Sequence, residues 1–272
     1  MPRFLHIPVL LFALLSSVAA DDEIVISEGA KTLPLAGDAF KLNGRDAFVI
    51  LPPGPAKEDI PWVWYAPTLR GLPEKRENWM FERFLAAGIA VAGIDVGESY
   101  GSPTGRKLFS QFYKEVTENR GLASKASFLA RSRGGLMAYG WAAENADKVA
   151  CIAGVYPVCN IASYPGIAKA SPAYEMSAEE LTSKLADHNP IDRLAPLAKA
   201  GVPIFHIHGD VDKVVPLEKN SAIVAERYKA LEGPMTLEVV KGQGHNFWSG
   251  WFQSQNLVDF VIAHSTLKET KE

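Results

Sequence analysis

Apolar residues in this chain fall into two kinds of run. The first kind is short and nearly continuous: residues 61–65 (P-W-V-W-Y), 89–96, 126–130 (interrupted only by Ser127), 149–156 and 202–208. Such runs, bounded by Gly, Pro and Asp, predict strands of a parallel sheet covered on both faces. The second kind repeats at helical spacing. Trp79, Phe81, Phe84 and Leu85 predict a helix that stops at Gly88, and further helices are expected over 107–119, 136–143, 217–231 and 251–264. Residues 23–27 and 46–51 read as two leading strands, separated by a turn-rich stretch with Gly37-Asp38 and Asn43-Gly44, and 52–59 as a Pro/Gly loop. Residues 235–240 read as the last strand. The alternation of strand and helix predicts an α/β fold with a doubly wound, mostly parallel sheet. One stretch departs from it: 157–186 mixes Pro, Ser, Gly and Tyr, and within it Ser177-Ala178-Glu179-Glu180 has the form of a capping box that starts a short helix.

The chemistry sits where apolar runs end. Residues 128–135 read F-L-A-R-S-R-G-G, so a strand breaks at Ser132 and a helix-like run follows. Strand, sharp turn and helix make a nucleophile elbow, which needs small residues two before and two after the serine. Ala130 and Gly134 stand there, Ala replacing the more usual Gly. Alone, Ser132 reads equally well as a helix cap. Two later strand ends carry the partners it would need. Gly209-Asp210-Val211-Asp212 follows the run 202–208, and Gly242-Gln243-Gly244-His245 follows 235–240. A serine hydroxyl needs a base in hydrogen-bond reach, and that imidazole needs a carboxylate to fix its tautomer. Asp210 and Asp212 both remain open as the acid.

H-G-D-V-D-K-V-V-P at 208–216 and G-Q-G-H at 242–245 resemble the acid and histidine loops of the α/β-hydrolase superfamily. The variant resembled is the dienelactone-hydrolase and prolyl-oligopeptidase catalytic-domain type, and the likeness runs from about residue 62 to the C-terminus. It implies the α/β-hydrolase fold, a triad of Ser132, Asp212 (four residues past His208) and His245, and no cofactor. It also implies an oxyanion hole built from the Arg133 N–H and an N–H in the loop after 61–65. Pro67 has none, so Thr68 or Leu69 supplies it; the His-Gly usual in that loop is absent. The stretch 157–186 falls where the superfamily often places its cap.

Arg131 and Arg133 flank the serine and Arg70 lies in the oxyanion loop. They read either as a clamp on an acidic substrate or, better, as partners of Asp95 or Glu98. Tyr100, Tyr164 and Trp248, with Phe247 and Trp251, are candidate substrate contacts weighed against a role in the core. His206 and His208 alternate with Phe205 and Ile207, share one strand face, and read as hydrogen-bonded structural histidines. Cys151 and Cys159 would lie ~26 Å apart on an extended chain at about 3.3 Å per residue, beyond the roughly 7 Å between Cα atoms that a disulfide spans. Two unpaired thiols are expected. No Cys/His cluster has metal-ligand spacing.

A net charge of −3 gives no electrostatic case for nucleic acid or an anionic membrane surface. Residues 1–20, with Arg3, an apolar core shorter than the ~20 residues of a membrane span and small residues at 16–20, read as a secretory signal peptide. The expected layout is therefore a leader over 1–20 and a single α/β-hydrolase domain over 21–272, its cap at about 157–186. The protein is expected to be exported, periplasmic or extracellular, with no membrane association after cleavage. Taken together the sequence predicts a serine hydrolase of carboxylic esters, acting on a small-molecule or polymer-borne ester such as acyl or acetyl groups on carbohydrates. A prolyl-oligopeptidase-like amidase is the second reading, disfavoured because the residues before Pro61 are too few for a propeller. A non-catalytic binding protein on a hydrolase scaffold is the third. The sequence does not set the oligomeric state.

Overall fold

In the computed structural model, residues 24–55 and 57–266 are described; the expected leader lies outside them. They form one nine-stranded sheet in the order β1-β2-β3-β5-β4-β6-β7-β8-β9. Its strands are β1 (Ile26–Glu28), β2 (Asp38–Leu42), β3 (Arg45–Ile50), β4 (Ile60–Ala66), β5 (Ala90–Ile94), β6 (Leu122–Arg131), β7 (Val149–Val155), β8 (Ile204–Gly209) and β9 (Met235–Val240). Pairing is antiparallel from β1 to β5 and parallel from β5 through β4, β6, β7 and β8 to β9.

The nearly continuous apolar runs are explained by burial on both faces. On β4, Trp62, Trp64 and Ala66 face one layer, while Val63 and Tyr65 face the other, as the two-residue strand period requires. The first layer packs under α2 (Pro103–Glu118), α3 (Gly134–Ala142) and the helix Ser221–Ala230. There Trp64 stacks on Phe128 with ring centroids 5.0 Å apart. The second layer packs under α1 (Asn78–Ala86) and the C-terminal helix Gln255–Ser265. Helices on both sides of a mostly parallel sheet are the doubly wound arrangement expected.

Three elements differ from the sequence reading. The turn-rich stretch before β3 contains a strand of its own, β2, joined to β3 by Asn43-Gly44. Both residues have positive φ (49° and 76°), the backbone of a two-residue hairpin that favours Asn-Gly. The helix expected over 251–264 is two pieces, Ser249–Phe252 and Gln255–Ser265. Ser254 separates them, its side chain accepting the Leu257 N–H as an N-cap. Residues 217–231 likewise divide into a single turn, Leu217–Lys219, and the helix Ser221–Ala230.

The stretch 157–186 folds into short turns. Ser177 caps the helix Ala178–Ser183 and completes the capping box with Glu180. Val158, Ile161, Ala170, Tyr174 and Leu181 pack on Tyr100, Leu136 and Val215, residues that follow β5, β6 and β8. The insertion thus lies beside the C-terminal ends of the parallel strands, the side on which ligands bind in open α/β sheets. Cys151 and Cys159 are both buried and unpaired.

Candidate active site

β6 is a central strand, and the chain must reverse direction at its end to start α3. It does so at Ser132, whose φ is +51°. A left-handed conformation in a residue with a Cβ costs of order 1–3 kcal/mol, so the surroundings must hold it. The Ser132 N–H donates to Val155 O at 3.0 Å, and Ser132 O accepts from Val158 N (2.8 Å) and Gly135 N (3.0 Å). Gly134 is required by contact: a Cβ there would sit 2.0 Å from Ala66 O. This brings the loop after β4 directly over the start of α3. Ala130, paired with Ala66 and Gly154 on the flanking strands, is fully buried, so its methyl group is accommodated.

The other two loops arrive from neighbouring strands. Gly209 ends β8, and a Cβ on it would lie 2.0 Å from Gln243 O; the acid and histidine loops are pressed together there. Asp212 Oδ1 accepts from Val214 N (2.9 Å) and Val215 N (2.8 Å). His245 Nδ1 lies 2.8 Å from Asp212 Oδ2, and His245 Nε2 lies 2.9 Å from Ser132 Oγ. The carboxylate accepts, so Nδ1 carries the proton and Nε2 is free to accept from the serine hydroxyl. Burial would raise the Asp212 carboxyl, but hydrogen bonds from His208, His245 and the Val215 amide outweigh it and hold the group well below the usual carboxylate range. Asp210 is exposed and accepts from Gly242 N at 2.6 Å. It ties the two loops together and does not meet the imidazole.

Tyr156 lies behind the imidazole, with ring centroids 4.3 Å apart. In front, a cavity of about 170 Å³ is lined by Arg131, Ser132, Arg133, Tyr156, His245 and Phe247, together with Pro67, Leu72 and Asn246. A larger hollow of about 480 Å³ lies elsewhere, against Val49, Leu51 and Arg120. Arg120 is already paired there with Asp38 and Glu115.

Arg131 and Arg133 are committed to carboxylates. Arg133 pairs with Glu98, one of the two partners expected. Arg131 does not pair with Asp95 or Glu98. Its Nη1 donates to the buried Glu77 at 2.6 Å, with Glu74 at 3.3 Å. The Tyr65 hydroxyl also donates to Glu77, at 3.0 Å. Burial and the Glu77 charge push the Tyr65 phenol well above its ordinary range, so it keeps that proton. Asp95 accepts the Gly97 N–H instead, at 2.8 Å. Arg70 is exposed. Arg70, Tyr100, Tyr164 and Trp248 lie outside the cavity lining. Tyr100 and Tyr164 pack with the insertion, and Trp248 makes an edge contact with Trp251 at 5.2 Å.

In the loop after β4, Thr68 is buried and its hydroxyl donates back to Tyr65 O at 3.0 Å. Leu69 O accepts from Lys31 Nζ at 3.0 Å and from Leu72 N at 2.9 Å. Tyr156 and Glu77 escaped the sequence reading. Tyr156 closes an apolar strand and looks like core; Glu77 stands in an ordinary charged run, E-K-R-E.

Residues 115–264 match the model of the prolyl oligopeptidase family. No curated protein sequence matches the chain. Among solved structures, an S-formylglutathione hydrolase from Agrobacterium tumefaciens superposes with a TM-score of 0.65 at 16% identity, covering 89% of this chain and 98% of that one. A truncated carbohydrate esterase from gut microbiota gives 0.63 at 15% identity, over 82% and 91%. A puromycin-hydrolyzing peptidase of Mycobacterium tuberculosis gives 0.63 at 16% identity, over 82% of this chain and 38% of that one. The chain therefore spans little more than a third of the length of that peptidase, and 37% of a puromycin hydrolase.

Proposed function

The chain belongs to the prolyl oligopeptidase family and has the α/β-hydrolase fold; from that premise we propose that it is a serine hydrolase that cleaves short-chain carboxylic esters through an acyl-enzyme. Ser132 Oγ attacks the acyl carbonyl while His245 Nε2 takes its proton. Asp212 stabilises the imidazolium and keeps the ring oriented. The oxyanion is held by the Arg133 N–H and the N–H of Thr68 or Leu69. His245 then returns the proton to the leaving alcohol, and water repeats the sequence to release the acid.

The carrying observation is the unbroken path Ser132–His245–Asp212, with links of 2.9 and 2.8 Å, opening on a cavity of about 170 Å³. That volume suits a short acyl chain. Its charged lining, Arg131 and Arg133, is already paired with Glu77 and Glu98, so among the described residues the cavity offers no carboxylate for the ammonium of a peptide N-terminus. Two neighbours matched over nearly their whole length, named an S-formylglutathione hydrolase and a carbohydrate esterase, support the ester reading. Phe247, 63% exposed at the mouth with the Arg76 guanidinium 4.2 Å from its ring centroid, forms an aromatic rim; with the carbohydrate-esterase neighbour it favours acyl groups on carbohydrates as substrates. Export is part of this proposal and rests on the leader-like sequence of residues 1–20.

A panel of p-nitrophenyl esters from acetate to octanoate, with a prolyl-anilide beside it, tests the assignment. Turnover should be highest for the shortest chains and absent for the anilide. Faster cleavage of the anilide would replace the ester reading with the amidase one.

A further inference from the structure

Behind the candidate triad acid lies a buried file of polar groups that the reaction above does not use. His206 and His208, on β8, and Ser221, at the start of its helix, are fully buried. Tyr139, on α3, is 1% exposed. Tyr139 Oη lies 2.8 Å from His206 Nε2, His206 Nδ1 lies 3.0 Å from Ser221 Oγ, and Ser221 Oγ lies 2.8 Å from His208 Nδ1. His208 Nε2 lies 2.8 Å from Val215 O and 3.5 Å from Asp212 Oδ2. Space is made for the file: a Cβ on Gly154, the β7 residue paired with His206, would come within 2.7 Å of that ring.

The donors and acceptors leave one neutral arrangement that satisfies every member. Val215 O only accepts, so His208 Nε2 carries a proton. Its Nδ1 then accepts, and the Ser221 hydroxyl donates to it. Having used its single proton, Ser221 Oγ accepts from His206 Nδ1–H. His206 Nε2 is left to accept from the Tyr139 hydroxyl. A doubly protonated His208 would reverse the file and leave the Tyr139 proton with no acceptor among the described residues, at a cost of about 1–3 kcal/mol. Burial, then the neighbouring His208, pushes His206 down to about 3, so that ring stays neutral.

We propose that His208 is a positioning residue for Asp212, its proton locked on Nε2 beside the carboxylate by the file Tyr139–His206–Ser221. The locked proton does two things. It pins Val215, whose own N–H binds Asp212 Oδ1, and it adds a donor beside Oδ2. Both fix the direction in which the carboxylate meets His245. The titratable groups facing Asp212 are His245, His208 and Tyr156; behind Tyr139 stand Cys159 and Tyr228, the burial of which keeps both protonated.

The inference rests on Asp212 serving the triad, and the test separates the two. Nitrogen-15 NMR of the histidine rings of the intact protein reads the file directly: His208 should be protonated at Nε2 alone and His206 at Nδ1 alone. The reverse tautomers, or a doubly protonated His208, would overturn it. Next, His208→Leu is compared with His208→Gln, whose amide N–H2 stands near the position of Nε2. The leucine variant should lose about 10–100-fold in kcat with KM nearly unchanged, the size of a hydrogen bond to a charged group. It should also move the acid limb of the kcat/KM profile to higher pH, because a carboxylate with one donor fewer holds an imidazolium more strongly. Glutamine should restore most of both. Equal losses with an unmoved limb would reduce His208 to packing. If His208→Leu does not fold, Ser221→Ala serves: it cuts His206 off from the direction set at Val215 O, so mixed His206 tautomers support the file, and unchanged ones refute it. Failure of Ser132 to take a fluorophosphonate label would remove the triad reading while leaving the tautomer result intact.

Discussion

Removing the Arg131 charge should destabilise the elbow more than any surface mutation nearby. Arg131 is 8% exposed and its partner Glu77 is 1% exposed, so Arg131→Leu would leave a carboxylate in a site with little water. Deleting one member of a buried pair costs about 3–5 kcal/mol, most of it the penalty of stranding the other charge. Tyr65 still donates to Glu77, as does the Glu74 N–H at 2.9 Å, which favours the low end, about 3 kcal/mol. For a chain of this size that is a fall in Tm of roughly 10 °C. Glu77→Gln alone strands the guanidinium less severely, because Glu74 remains at 3.3 Å. The double variant Arg131→Leu/Glu77→Gln removes both charges while keeping an acceptor for Tyr65, so it should regain more than half the loss. Urea unfolding of all four proteins gives the coupling energy by a double-mutant cycle. Strictly additive losses, or a fall below about 1 kcal/mol for Arg131→Leu, would refute the reasoning, since an exposed pair behaves that way.

Asp212→Asn should reduce kcat by about 10³-fold or more on a short ester, because the amide favours the wrong His245 tautomer; stopped-flow turnover checks it. The depressed Asp212 carboxyl also predicts a pH effect on stability. Its folded value lies below the unfolded one, near 4, so its contribution is present above about pH 4 and lost as pH falls further. The difference in urea midpoint between wild type and Asp212→Asn should accordingly shrink from pH 5 to pH 3. Gly134→Ala should abolish fluorophosphonate labelling, because its Cβ would collide with Ala66 O at 2.0 Å; a fully labelled variant would show that the elbow yields.

The parallel strands were legible because burial on both faces leaves unbroken apolar runs, as at β4 and β7. The candidate triad was legible because its members stand at strand ends, each beside small residues that sharp turns demand. β2 was harder to see: D-A-F-K-L is short, and only Phe40 and Leu42 point inward. The break before the C-terminal helix was marked by Ser254, but the apolar spacing of Trp251, Leu257 and Val261 runs across it. The Arg131–Glu77 pair spans 54 residues. No local pattern encodes such a contact, since it exists only once α1 docks on the sheet. His206 and His208 could be read as hydrogen-bonded, but not their partners on α3 and at Ser221.

The candidate acid and base hang from adjacent strands whose loops meet at Gly209 and Gln243, while the candidate nucleophile is carried two strands inward. Any shear of the sheet between β6 and β8 therefore moves the carboxylate and the imidazole together as one block. The serine–imidazole gap is then the compliant joint of the machine, the distance that strain, pressure or a distant substitution alters first. Catalytic rate should thus respond to such stresses before the ring loses its carboxylate partner.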